Sequence, residues 1–91
     1  MKSRTVVVEN RLGLHARAAA RLVRLTSGFR SVIHLCREGN SQEIDSKSIL
    51  GILMLAATQG TRLVVSVEGP DENEACAAVC ALFAHKFGEE S

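Results

Sequence analysis

His15 follows Gly13-Leu14 and precedes Ala16-Arg17-Ala18-Ala19-Ala20, so an imidazole stands where a glycine-containing loop meets a run of strong helix formers. The first turn of a helix leaves its N–H groups without intrahelical acceptors. Together with the positive end of the helix dipole they favour an anion by about 0.3–1 kcal/mol, rising to ~2 kcal/mol where the site is partly buried. The same field disfavours imidazolium, and Arg17 adds to it, which leaves His15 as a neutral nucleophile. Once a phosphate is attached, the repulsion from Arg17 becomes attraction, and its guanidinium can offer two parallel donors to phosphate oxygens. The chemistry these residues fit is acceptance of a phosphoryl group on His15, with Arg17 and the backbone N–H groups of Ala16, Arg17 and Ala18 neutralising the added charge.

Phosphoryl transfer asks a protein mainly for in-line positioning and charge neutralisation. The chain offers a nucleophile and part of the neutralisation, with no Walker loop, no acidic pair of magnesium-binding character and no second base. The donor and acceptor must therefore bring the rest of the machinery, which describes a carrier and not a complete enzyme. No cofactor or metal is expected.

The elements that must hold His15 follow from the hydrophobic pattern. Arg4 to Glu9 is a β-branched run suited to a strand, broken by the turn-forming Asn10-Arg11-Leu12-Gly13-Leu14. From Ala16 to Thr26, Ala19, Leu22, Val23 and Thr26 recur at helical spacing with Arg17, Arg21 and Arg24 opposite, and Ser27-Gly28 ends the helix. Ser31 to Cys36 alternates, Arg37-Glu38-Gly39-Asn40 turns the chain, and Gln42 to Asp45 returns as a short edge strand. A second helix runs from Ile49 to Ala57, and Thr61 to Glu68 alternates with Leu63, Val65 and Val67 on one face. The last helix has Asp71, Glu72 and Glu74 in its first turn, Lys86 in its last, and Ala75, Ala78, Val79, Leu82 and Phe83 along its inner stripe. The order β-α-β-β-α-β-α, with alternating strands, predicts an α+β open-faced sandwich over residues 1–91: a four-stranded antiparallel sheet covered on one face by three helices.

The second helix, Ile49-Leu50-Gly51-Ile52-Leu53-Met54-Leu55-Ala56-Ala57, is apolar on every side, more than a single sheet face can bury. With Ile49, Ile52 and Leu55 or Ala56 inward, Leu50, Leu53 and Met54 are left as an exposed patch suited to docking a partner. Ser48 is a natural N-cap for this helix, and a phosphate there would put up to about −2 of charge beside the patch.

Composition narrows the partners. Eleven basic residues stand against ten acidic ones, with no tryptophan or tyrosine to stack bases, which argues against nucleic acid. The N-terminal apolar stretch is far shorter than a signal peptide's or a membrane span's, so a cytoplasmic monomer without membrane insertion is expected. Cys36, Cys76 and Cys80 are odd in number and lack CxxC spacing, which reads as small buried hydrophobes. A metal module built on His34 or His85 with the cysteines is the competing reading.

The residues resemble the HPr family of histidine-containing phosphocarriers of the bacterial phosphotransferase system, over nearly the whole chain. Gly13-Leu14-His15-Ala16-Arg17 is similar to the family's active-site motif and Lys47-Ser48-Ile49-Leu50-Gly51 to the segment around its regulatory serine. Thr58-Gln59-Gly60-Thr61 and Glu68-Gly69-Pro70-Asp71-Glu72 match its later turns in order and spacing. The resemblance implies phosphorylation of His15 on Nδ1 by enzyme I, drawing on phosphoenolpyruvate, and transfer to a sugar-specific or nitrogen-related EIIA domain. It implies Ser48 as the target of an HPr kinase/phosphorylase, and docking through Arg21, Arg24, Ile49, Leu50, Leu53 and Met54. One departure is Ala18, where the family usually has proline. The runner-up is a regulatory relative that binds partners through the second helix without transferring phosphate.

Overall fold

The structure, a computed structural model, describes residues 1–89. Its elements are β1 (Lys2–Val7), α1 (Ala16–Thr26), β2 (Val32–Arg37), β3 (Ile44–Asp45), α2 (Ile49–Met54), β4 (Arg62–Glu68) and α3 (Glu72–Ala84). The four strands form one sheet in the order β1-β4-β2-β3, every neighbouring pair antiparallel. The predicted α+β open-faced sandwich is the architecture found.

Alternation along the strands sorts the two faces. Val6 pairs with Leu63, Val65 with Leu35 and Val67 with Ile33, so the apolar residues of β1, β4 and β2 line up across the sheet and bury together. Ala18, Ala19, Leu22 and Thr26 of α1 and Ala75, Cys76, Val79 and Phe83 of α3 supply the helical side of the core. Val32, His34 and Cys36 turn to the opposite, open face, where Val32 is exposed and the other two half-buried.

Several boundaries depart from the sequence reading. Strand β1 begins at Lys2, two residues early, because β4 is long enough to pair with it from Val67 to Arg62. Strand β3 shrinks to Ile44 and Asp45, the residues that find partners on β2. Helix α2 stops at Met54 instead of Ala57: Ala56 adopts φ +48°, and the Arg37 guanidinium takes the carbonyls of Leu55 and Ala56 at 2.8–3.1 Å. A strand residue thus caps the helix C-terminus, overriding alanine's helix preference. Ile49 is 42% exposed and Ala56 is exposed too, so the inward face of α2 is Ile52 with Leu55 just beyond its end.

Helix α3 ends at Ala84, so Lys86 lies outside it and not in its last turn. Cys76 takes the inner position beside Ala75 that the reading gave to Ala78, and Ala78 and Leu82 sit half-buried on the flank. Past the helix, Lys86 and Phe87 adopt φ +55° and +57°, a strained reversal that costs on the order of 1–3 kcal/mol per residue. Burial of Phe87, edge-on to Phe83 at 4.8 Å, offsets that strain. The reversal carries the chain back toward the start of α1.

Candidate phosphoryl-carrier site

The loop before α1 is shaped from below. Asn10 to Gly13 close a turn, with the Gly13 N–H donating to the Asn10 carbonyl at 3.1 Å, and Gly13 has φ +70°. The Leu14 N–H donates to the Ala57 carbonyl at 2.9 Å, and Leu14 is buried, so the loop is pinned to the segment after α2. With both sides fixed, the next residue is delivered to the helix N-terminus.

That residue is His15, the N-cap of α1, with extended backbone (φ −78°, ψ 179°). Its Nδ1 accepts from the Arg17 backbone N–H at 3.3 Å, in the role an N-cap oxygen usually plays. Its Nε2 lies 2.6 Å from a carboxylate oxygen of Glu89, and the side chain is 27% exposed. Burial pushes the Glu89 carboxyl up, but hydrogen bonds from Asn10 and His15 more than offset this and hold it below the ordinary glutamate range. An ionised carboxylate only accepts, so Nε2 carries the proton and Nδ1 keeps its lone pair. The lone pair sits on the half-exposed ring at the N-terminus of a helix, the arrangement that a phosphoryl acceptor needs.

Glu89 reaches the ring through a strap. The Arg21 side chain donates to the Phe87 carbonyl, tying the C-terminal turn to α1, and the buried Asn10 donates from Nδ2 to the other Glu89 oxygen at 2.9 Å. Arg21, expected at a docking surface, is half-buried and fastens this strap while also lining a surface groove beside Arg24. Arg24 is exposed and lines an apolar groove of about 540 Å³ with Leu25, Phe29 and Leu82.

Arg17 is exposed at the second position of α1, and Ala16 before it is exposed as well. Ala18 is wholly buried, its methyl in the core beneath the first turn. At the start of α2, the Ser48 hydroxyl accepts from the Gly51 N–H at 3.2 Å, as an N-cap does. Leu50, Leu53 and Met54 are 71%, 37% and 77% exposed, and with Ile49 and Leu12 they make up most of the large apolar side chains at the surface. His34 and Cys36 lie on the open sheet face, Cys76 and Cys80 lie on α3 across the sheet and His85 is exposed just past its end, so among the described residues those of the metal reading are not brought together. Burial and the neighbouring Cys76 push the Cys80 thiol up, away from the thiolate that a metal requires.

Sequence reasoning missed Glu89 and Asn10. Asn10 reads as a turn former, and Glu89 is separated from His15 by 74 positions. The left-handed run Lys86-Phe87-Gly88 aims Glu89 at the ring, and of the three only Gly88 is a residue type that signals such a conformation.

The comparisons with known proteins bear on the chain as a whole. The family described as PTS HPr component phosphorylation site matches residues 2–85. A phosphocarrier protein HPr from Cupriavidus necator is 45% identical over 98% of both chains. A phosphocarrier protein NPr from Escherichia coli is 41% identical over 94% of both. Among solved structures, HPr from Thermoanaerobacter tengcongensis superposes with a TM-score of 0.94 at 42% identity, with full coverage of each chain. An imidazole at a helix N-terminus, on this fold and within this match, leads to one conclusion: the chain belongs to the HPr family of phosphocarriers of the phosphotransferase system.

Proposed function

We propose that His15 is the phosphorylated residue, that phosphorylated enzyme I is its donor, and that an EIIA domain of a sugar or nitrogen-related relay is its acceptor. The observation that carries this reading is the pair of contacts on the His15 ring, the Arg17 N–H at Nδ1 and the Glu89 carboxylate at Nε2, from which we infer a lone pair on Nδ1 and a proton on Nε2. In the accepting step the Nδ1 lone pair attacks phosphorus, the new N–P bond forms as the bond to the donor breaks, and that electron pair returns to the donor. The proton stays on Nε2, held by Glu89, so the phosphorylated ring carries a positive charge facing a carboxylate. In the donating step the ring then departs as neutral imidazole, a better leaving group than imidazolate. Arg17 is suited to fold over the phosphate oxygens, and the N–H groups of Ala16, Arg17 and Ala18 supply the local positive field.

Leu50, Leu53, Met54, Ile49, Arg21 and Arg24 form the docking surface in this proposal, and Ser48 is its regulatory site, the target of an HPr kinase/phosphorylase. The protein acts as a monomeric, cytoplasmic carrier, its residues 1–91 working as one domain. The test is intact mass measurement after incubation with enzyme I and phosphoenolpyruvate, on the wild type and on His15→Ala. An acid-labile phosphoryl adduct on the wild type, absent from the variant, is the expected result. No adduct on the wild type sinks the carrier reading and leaves the binding-only relative in its place.

A further inference from the structure

Asn10 is wholly buried, and its side-chain amide is used in only one sense. Nδ2 donates to the Gly13 carbonyl at 2.7 Å and to the Glu89 carboxylate at 2.9 Å, while Oδ1 has no hydrogen-bond partner among the described residues. A buried acceptor left unpartnered carries a desolvation cost, so the side chain is held for its two donors and against its own acceptor. One of these donors reaches the loop that delivers His15; the other reaches the carboxylate that holds the His15 proton.

We propose that Asn10 is a positioning residue for phosphoryl transfer, setting the polarity of a three-part relay, Asn10 to Glu89 to His15, that keeps the proton on Nε2 and the nucleophile on Nδ1. This rests on the reading of His15 as the phosphoryl acceptor. The relay runs in one direction. Asn10 presents N–H to one carboxylate oxygen, so whatever group stands at position 89 must accept there. Glu89 satisfies this and, with its second oxygen, accepts again from Nε2 at 2.6 Å. On the far side of the ring the Arg17 N–H requires an acceptor at Nδ1. Donors at both ends of the array, with Glu89 accepting twice, leave a single ring tautomer that satisfies every contact.

The relay yields a prediction that a merely structural asparagine would not. In Glu89→Gln, the amide oxygen must still face Asn10, because the opposite orientation sets N–H against N–H. Its NH2 group then points at His15 Nε2 and calls for an acceptor there, driving the ring toward the Nδ1–H tautomer, which lacks the nucleophilic lone pair. Glu89→Ala removes the partner without imposing the wrong one. Glutamine, the closer mimic, is therefore the more damaging substitution, and removing Asn10 frees its amide to turn over and rescues it.

The experiment uses the full chain with 15N-labelled imidazole, reading the Nδ1 and Nε2 shifts of His15 near neutral pH, and in parallel the rate of phosphorylation by enzyme I and phosphoenolpyruvate. The wild type is expected as Nε2–H. Glu89→Gln should shift toward Nδ1–H and lose about tenfold or more in rate, Glu89→Ala should lose less, and Asn10→Ala with Glu89→Gln should recover most of the loss. An unchanged tautomer in Glu89→Gln, or a double variant at least as impaired as the single one, overturns the proposal. Should the buried Asn10→Ala fail to fold, the comparison of Glu89→Gln with Glu89→Ala decides alone, and an alanine variant as slow as the glutamine one counts against it. The tautomer is read without any partner, so a wild type that accepts no phosphate would bring down the carrier reading while leaving the relay measured.

Discussion

A methyl group on Gly13 would lie 2.5 Å from the carbonyl oxygen of Ala57, the same carbonyl that accepts from the Leu14 N–H. The loop before α1 and the segment after α2 are therefore in contact, and the position of His15 depends on that closeness. Gly13→Ala should cost more than about 1 kcal/mol through its left-handed φ and the clash together. Gly39 has φ +85° with nothing within 4 Å of the added methyl, so Gly39→Ala should carry the backbone penalty alone. Chemical denaturation of the pair checks the ranking, and only the Gly13 variant should also slow phosphorylation.

Helix α2 separates a buried side chain from an exposed one within two residues. Ile52 is fully buried, and Ile52→Ala should cost about 2–5 kcal/mol. Met54 is 77% exposed, and Met54→Ala should change stability by less than about 0.5 kcal/mol while weakening binding to enzyme I. Urea denaturation and titration calorimetry on both variants test the division. A Met54 variant that binds as tightly as the wild type would remove this face from the docking surface.

Most of the fold could be read from periodicity, because alternation in Ser31–Cys36 and Thr61–Glu68 and the helical stripe of Ala16–Thr26 each agree with the tertiary packing. The misreadings lie where tertiary contacts override local preference. The end of α2 is set by Arg37, which is remote in sequence from the carbonyls it takes, and the exit from α3 is set by three consecutive left-handed residues, of which only the last, Gly88, is a glycine. The site divides in the same way. His15, Arg17 and Ser48 are adjacent to helix starts and visible in a short window, whereas Glu89 and Asn10 join the ring only once the strap has folded back.

Asp71 anchors the start of β2 from the N-cap of α3: its carboxylate accepts from the N–H groups of Arg30 and Ser31 and from the Ser31 hydroxyl. The Ser31 hydroxyl and then the Arg30 amide hold its carboxyl below the ordinary aspartate value. A folded-state pKa that is depressed gives stability that is present above the unfolded value, about 3.9, and lost as pH falls through the folded one. Asp71→Asn should therefore melt below the wild type at neutral pH, with the gap closing in acid. Melting temperatures followed from about pH 7 to about pH 2 read this directly. A gap that does not change with pH would show that the carboxylate's charge is not what matters.

Ser48 caps α2 through its hydroxyl, and aspartate is an equally good cap, so Ser48→Asp should leave the fold intact. Ser48→Ala loses the cap and should cost about 0.5–2 kcal/mol without adding charge. The two variants therefore pull stability and docking apart. If charge beside Leu50, Leu53 and Met54 is the regulatory signal, the aspartate variant binds enzyme I more weakly although it is the more stable of the two. The alanine variant then binds as the wild type does. Added salt should narrow the difference, since exposed charges are screened beyond about 8 Å at physiological ionic strength. Calorimetric titration of both variants at low and high salt makes the comparison. Equal affinities for the wild type and Ser48→Asp at low salt would mean that the patch does not sense charge at the helix N-terminus, and the case for Ser48 as a switch would fall while His15 kept its role.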